Sequence, residues 1–393
     1  MTVAKKISNS IEKSSFIRKM FEEGARLKAE HGAENVFDFS LGNPNMVPPV
    51  EFKKALMEAV EESGEGTHSY MPNIGYPFVR KAVADFLSTE QGVDVTENEV
   101  IMTCGAAGAL NVVFKTILDP GDEVVSPTPY FVEYNFYVDN HNGVMKTVSV
   151  NDDFTLDLAA MAEAITEKTK IVLINSPNNP TGQIYSKKSL DELGKLLEEK
   201  SEEFGKTIYL VSDEPYRKII YDGNVVPSIF TSYKETIIVT SYSKDISVPG
   251  ERIGFLALHP LATYKEILFG GFALSNRILG YVNAPALMQR VIAKIQGVQV
   301  DMTQYEKNRK LFCEGLADAG YEFTTPPGAF YLFPKAPIED DVAFVAELQK
   351  ELILVVPGSG FGGPGHFRIA YCCDEKSIIN SLPGFKRVMA KYK

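Results

Sequence analysis

Five polar clusters in this 393-residue chain each stand directly after a short apolar run. They are Gly105-Ala106-Ala107-Gly108, Pro129-Tyr130-Phe131, the stretch from Asn175 through Asn179 to Gly182, Asp213-Glu214-Pro215-Tyr216, and Ser241-Tyr242-Ser243-Lys244. Their side chains suit chemistry of distinct kinds. A lysine amine is a nucleophile or proton carrier only when substantially neutral, a state that burial and nearby cations favour. An aspartate after the apolar run IYLVS is costly to bury unless it is paired. A glycine–alanine segment that opens a helix turns free N–H groups and the positive end of the helix dipole toward an anion. Ligands of open α/β sheets bind beyond the carboxyl ends of the strands. The spacing therefore predicts that all five clusters converge on one crevice. Taken singly, Lys244 also reads as a surface lysine, Asp213 as a helix cap and Asn179 as part of a plain Asn-Pro turn.

The elements that must position these residues show as an alternation. Apolar runs predict strands at residues 100–103, 123–126, 144–150, 171–175, 208–212, 237–241 and 253–258, with amphipathic helices such as 109–118 and 188–204 between several of them. This pattern predicts an α/β fold, with a mainly parallel seven-stranded sheet flanked by helices. Residues 285–319 read as one long helix or a pair, and residues 320–371 turn strand-like. The length exceeds one ordinary core. A large α/β domain is therefore expected over residues 46–289, with a smaller α+β domain built from both chain ends, 1–45 and 290–393. The loop PGSGFGGPG at 357–365 lacks the strand–loop–helix context of a phosphate cradle and reads as a mobile lid turn.

Composition narrows the classes of partner. Hydrophobic residues make up 45% and charged residues 23%, the balance of a globular chain rather than a disordered one. The 40 basic and 51 acidic residues give a net charge of −11, and without a basic cluster nucleic acid is not an expected partner. No stretch approaches the roughly 18 consecutive apolar residues of a membrane span. The N-terminal MTVAKKISNSIEKSSF has charges but no apolar signal core. Cys104, Cys313, Cys372 and Cys373 form no disulfide framework, and the five histidines show no metal spacing. A cytoplasmic protein without metal is expected.

SYSKDISVPGERIG, with NNPTG upstream and DEPY between them, resembles the signature of the class I/II aminotransferases. These are pyridoxal 5'-phosphate enzymes of the aspartate aminotransferase fold, fold type I. The resemblance runs from SLGNP at 40–44 to FRIAY at 367–371. It implies that Lys244 forms a Schiff base with the cofactor aldehyde and later shuttles the α-proton. Asp213 then pairs with the protonated ring nitrogen and keeps the ring an electron sink. Tyr216 and Asn179 match the positions that hydrogen-bond the phenolic oxygen. Gly105, Ala106, Ala107, Ser241 and Arg252 match the phosphate site, with Ser243 assisting or capping the turn. Ala107 departs from relatives that carry a hydroxyl or a cation there. Tyr70 matches a tyrosine that reaches the phosphate from the neighbouring subunit, which implies a homodimer. Phe131 aligns with the aromatic residue stacked on the ring, whereas Tyr130 and Tyr134 read as core. Arg368 matches the clamp on the substrate α-carboxylate, with the Gly42 N–H nearby; an edge-strand arginine in solvent is the competing reading.

The resemblance implies an aminotransferase that moves an amino group between an L-amino acid and a 2-oxo acid by a ping-pong mechanism. A β-C–S lyase on the same scaffold shares the catalytic residues and stays open, as does a non-catalytic ligand-binding relative, although no helix-turn-helix segment precedes the fold. Arg277 lies where other relatives supply an arginine from the partner subunit, or else sits on the surface. Aspartate, alanine, methionine and aromatic donors all remain open.

Overall fold

The computed structural model describes residues 2–12 and 16–393. Residues 1 and 13–15 of the charged N-terminal segment lie outside the described residues. After a first short strand, β1 (Phe37–Asp38), come the seven of one large sheet: β2 (Val100–Thr103), β3 (Glu123–Pro127), β4 (Val144–Val148), β5 (Thr169–Asn175), β6 (Tyr209–Asp213), β7 (Thr236–Ser241) and β8 (Gly254–Leu258). All seven begin and end close to where the apolar runs predict them. Except in the edge strand β4, those strands are buried along nearly all their length because both faces of the sheet are covered. Along each strand successive side chains alternate faces. Thus Ile101, Val124, Ile171, Val211 and Val239 pack in one core, while Met102, Val125, Val172, Leu210 and Ile238 pack in the other.

The strand order is β2-β8-β7-β6-β5-β3-β4. Strands β3 to β7 pair in parallel, and β8 runs antiparallel between β2 and β7. Register then aligns the ends that matter. Thr103 and Ser241 both lie opposite Gly254, and Asn175 lies opposite Asp213. The segments after β2, β5, β6 and β7 therefore leave the sheet along a single edge.

The remaining strands are β9 (Tyr331–Leu332), β10 (Ile353–Leu354), β11 (Val356–Pro357) and β12 (Phe367–Ala370). Strands β11, β12 and β9 form an antiparallel sheet with β12 in the middle, and β1 pairs in parallel with β10. Helices Thr303–Ala319, Asp341–Gln349 and Glu375–Met389 close a second core on them, rich in rings such as Phe312, Phe344 and Phe385. Phe39 joins it from the N-terminal side.

One expectation left two alternatives, of which the structure shows the second, and two others need adjustment. Residues 285–319 form two helices, Ala286–Lys294 and Thr303–Ala319. A boundary after residue 289 falls inside the first, whose Met288, Val291 and Ile292 pack in the large sheet's core. The chain changes cores between Ile295 and Val300, in the non-helical stretch between the two helices. The glycine-rich turn is packed rather than lid-like. Phe361 is fully buried, its carbonyl accepts from the Tyr130 N–H at 3.0 Å, and Ser359 Oγ donates to Asp341 at 2.7 Å.

Candidate active site

The edge where the strands end opens into a pocket of about 490 Å3. From β2 the chain enters helix Gly105–Ile117, where no side chain caps the N-terminus, so the first N–H groups stay available. Ala106 and Ala107 line the pocket there. Gly105 sits behind them at φ +74°, and a Cβ on it would stand 2.9 Å from Arg252 Nη2. Arg252 itself lines the pocket from a left-handed turn (φ 51°), and its Nη1 donates to the Pro249 carbonyl at 2.9 Å. Ser241 and Ser243, at and after the end of β7, complete this end of the lining.

Lys244 opens onto the same space. Its Nζ donates to the Gly42 carbonyl at 2.8 Å, and the residue is half-buried. Burial, with lesser repulsion from Arg368 and Arg252, lowers the amine to about 8. A lysine in that range has the neutral fraction that its proposed chemistry requires.

Asp213 is buried at the end of β6. Its Oδ2 accepts from the Tyr134 hydroxyl at 2.5 Å, and its Oδ1 has no partner. Burial raises the carboxyl to about 7, against the hydrogen bond from Tyr134 and with the neighbouring Glu214 adding to the rise. The helix-cap reading of Asp213 therefore fails, because its side chain turns toward the pocket rather than onto a helix terminus. Asn175 braces both neighbours: its Nδ2 donates to the Asp213 carbonyl at 2.8 Å, and its Oδ1 accepts from the Asn179 N–H at 2.7 Å.

Arg368 lies in the central strand of the small sheet and is 2% exposed, which removes the reading of a solvated edge-strand arginine. Its Nη1 donates to Asn179 Oδ1 at 3.0 Å and its Nη2 to the Ser40 carbonyl at 2.5 Å, while Nε has no partner. The guanidinium lies between the rings of Tyr331 and Phe361, 4.7 and 4.6 Å from their centroids. Tyr331 and Tyr216 share a hydrogen bond of 2.7 Å between hydroxyls. Gly42 must lack a side chain, since a Cβ there would stand 1.9 Å from the Tyr331 oxygen.

Phe131 lines the pocket edge-on to Tyr134, with centroids 5.6 Å apart at 87°. Tyr130 keeps its core reading: it is buried, and its hydroxyl meets Asn135. Tyr134 is equally buried, yet it touches Asp213, so packing alone does not describe it. Tyr331 and Tyr137 are lining residues that the sequence reading did not name, Tyr134 is one it assigned to the core, and Asn175 is one it placed in a converging cluster without a role. Two candidates stay apart from the pocket within one chain: Tyr70 is 91% exposed, and Arg277 lies on the exposed side of helix Lys265–Ile278.

Comparison with known proteins agrees with this arrangement. Residues 34–381 match the family model for aminotransferase class I and II. The chain is 33% identical to the aspartate/prephenate aminotransferase of Thermus thermophilus, over 89% of this chain and 90% of that one. Among solved structures, an amino transferase from Eubacterium rectale superposes with a TM-score of 0.97 at 39% identity, covering 100% of both chains. The Thermus thermophilus aspartate aminotransferase with maleate superposes with a TM-score of 0.88 at 29% identity, covering 99% of this chain and 100% of that one. The chain thus belongs to the class I and II aminotransferases, enzymes that work with pyridoxal phosphate.

Proposed function

We propose that this pocket exchanges an amino group between an L-amino acid and a 2-oxo acid, which enter it in turn in ping-pong order. The observation that carries the reading is a pair of buried polar atoms without partners, Asp213 Oδ1 and Arg368 Nε, on residues that line one pocket together with Lys244. Such atoms are costly to leave unsatisfied. A protonated ring nitrogen suits the first and a substrate carboxylate suits the second. The free N–H groups near Ala106 and Ala107, with Ser241, Ser243 and Arg252, suit a phosphate. The donor set therefore fits the cofactor.

When bound, pyridoxal phosphate supplies an aldehyde and an electron-poor ring that accepts the electron pair left on the substrate α-carbon. Lys244 would hold the cofactor through its Nζ, and the same amine would carry the α-proton of the substrate. Asp213 would hold the ring nitrogen through its unpartnered Oδ1 and would be kept ionised by that positive charge. Tyr216 and Asn179 would donate to the phenolic oxygen, and Phe131 would pack on the ring. Arg368, with the Gly42 N–H, orients the amino acid by its α-carboxylate. Tyr70, exposed in one chain, serves the phosphate site of a second copy, so the working unit is a homodimer. All four cysteines are free thiols, in keeping with a cytoplasmic enzyme; among the described residues no helix is long and apolar enough to cross a membrane. The test is a panel of 15N-labelled amino acids, each incubated with 2-oxoglutarate and the holoenzyme. The reading expects label in the newly formed amino acid. Label released only as ammonium would overturn it in favour of a lyase.

A further inference from the structure

Next to the residues that line the pocket stand others that turn away from it. After β6 and β7 the chain alternates. Asp213, Tyr216 and Lys244 line the pocket, whereas Glu214, Arg217, Lys218 and Asp245 line a separate cavity of about 30 Å3 behind it. Three carboxylates meet two cations there. Arg217 Nε lies 2.9 Å from Glu90 and its Nη1 3.1 Å from Glu214, while Lys218 Nζ lies 3.4 Å from Asp245 Oδ2. Lys218 also stands 4.8 Å above the ring of Phe86. The Lys218 and Asp245 side chains are only 14% and 11% exposed, and Asp245 Oδ1 has no partner. The Asp245 carbonyl accepts from the Val300 N–H at 2.7 Å, at the point where the chain enters the smaller core.

A buried ion pair is weak evidence for stability, because apolar replacements often serve as well. What it does supply is geometry, since opposite charges in a dry site accept few alternative arrangements. Asp245 follows Lys244 directly, so fixing Asp245 fixes the turn that presents the amine. Glu214 follows Asp213 in the same way, and Arg217 and Lys218 follow Tyr216.

We propose that the Asp245–Lys218 pair, braced by Glu90 and Glu214 through Arg217, is a positioning device that holds Lys244 toward the pocket. The proposal rests on the role of Lys244 in amino-group transfer. It acts through the backbone turn and leaves the carboxylate site at Arg368 untouched. Loss of the pair therefore slows every step made by Lys244 without weakening the grip on substrate.

The test compares wild type with Asp245→Asn, with the double variant Asp245→Asn/Lys218→Met, which leaves neither charge of the pair, and with Lys218→Met against Lys218→Arg. Two rates are read: linkage of added pyridoxal phosphate to Lys244 in cofactor-free protein, followed by borohydride fixation, and kcat with an amino acid that wild type accepts. Both rates should fall roughly tenfold to hundredfold, the scale of a small misplacement, with KM changed by less than about twofold. Lys218→Arg should retain most of the rate that Lys218→Met loses. A folded double variant with wild-type rates would overturn the proposal. Failure of Asp245→Asn and the double variant to fold would also overturn it, since the pair would then be a folding element. A wild-type chain that links the cofactor but transfers no amino group would overturn the underlying function instead.

Discussion

At Asp213, stability and function pull in opposite directions. Its carboxyl titrates near 7 in the cofactor-free fold, against 3.8 for an ordinary aspartate. Between those values the folded state holds a proton that the unfolded state has lost, so this group lowers stability as pH rises through that window. The deficit is complete above about 7 and absent below about 4. Cofactor-free Asp213→Asn should therefore melt higher than cofactor-free wild type, by a margin that grows from pH 5 to pH 8 in thermal scans. The same variant should lose roughly 100- to 1000-fold in turnover, the scale of a lost electrostatic contact in a transition state. A margin that shrinks with pH would refute the electrostatic reading. Tyr134→Phe tests the partner: losing a hydrogen bond to a charged group costs about 1.5–3 kcal/mol, so cofactor dissociation measured by fluorescence should weaken about tenfold to hundredfold. An unchanged dissociation constant would return Tyr134 to packing. Lys244 and Asp213 were legible because charged residues next to apolar runs are conspicuous, whereas Arg252 and Arg368 were marked only by the family resemblance. Tyr134 and Tyr331 were not legible, because a tyrosine among apolar residues looks the same whether its hydroxyl meets solvent or a carboxylate. The missing clue was the need of a buried Asp213 for a donor.

Elements decide how closely these side chains meet. Gly254 opens β8 where it pairs with both Thr103 and Ser241, and a Cβ there would stand 2.3 Å from the Thr240 carbonyl and 2.9 Å from the Gly105 Cα. Both obstacles are backbone, so neither can swing aside. Gly254→Ala should thus part β8 from β7 and from the start of helix Gly105–Ile117, costing about 1–3 kcal/mol. Denaturant titration should show a lower midpoint together with poorer cofactor retention; an unaltered midpoint would mean that the edge yields easily. Six of the seven strands were legible because burial on both faces leaves apolar runs; the edge strand β4, partly exposed, showed instead by its β-branched residues. The two helices within 285–319 were harder to assign. Met288 and Phe312 recur at helical spacing in either case, and only contact tells that they serve different cores.

For the whole molecule, the account requires more than one chain. Tyr70 stands 91% exposed outside the pocket of its own chain, so its use at a phosphate site needs a second copy. Sedimentation at micromolar concentration should find a homodimer, and Tyr70→Phe should weaken cofactor retention while leaving the dimer intact. A fully active monomer would contradict the shared site. Arrangements between copies leave little trace in one sequence, because the exposed residue that crosses to a partner resembles any other surface side chain. The central claim is that Lys244 carries the cofactor and the proton. It is tested most directly by borohydride reduction of the holoenzyme followed by peptide mass mapping. Wild type should carry one cofactor adduct per chain, on Lys244; in cofactor-free protein given pyridoxal phosphate, the linkage that precedes reduction should quicken with pH and level off above the lowered value of about 8. Lys244→Ala should fold, bind cofactor only non-covalently, show no adduct and transfer no amino group. An adduct on any other lysine of the wild type, or amino-group transfer by Lys244→Ala at the wild-type rate, would contradict the account.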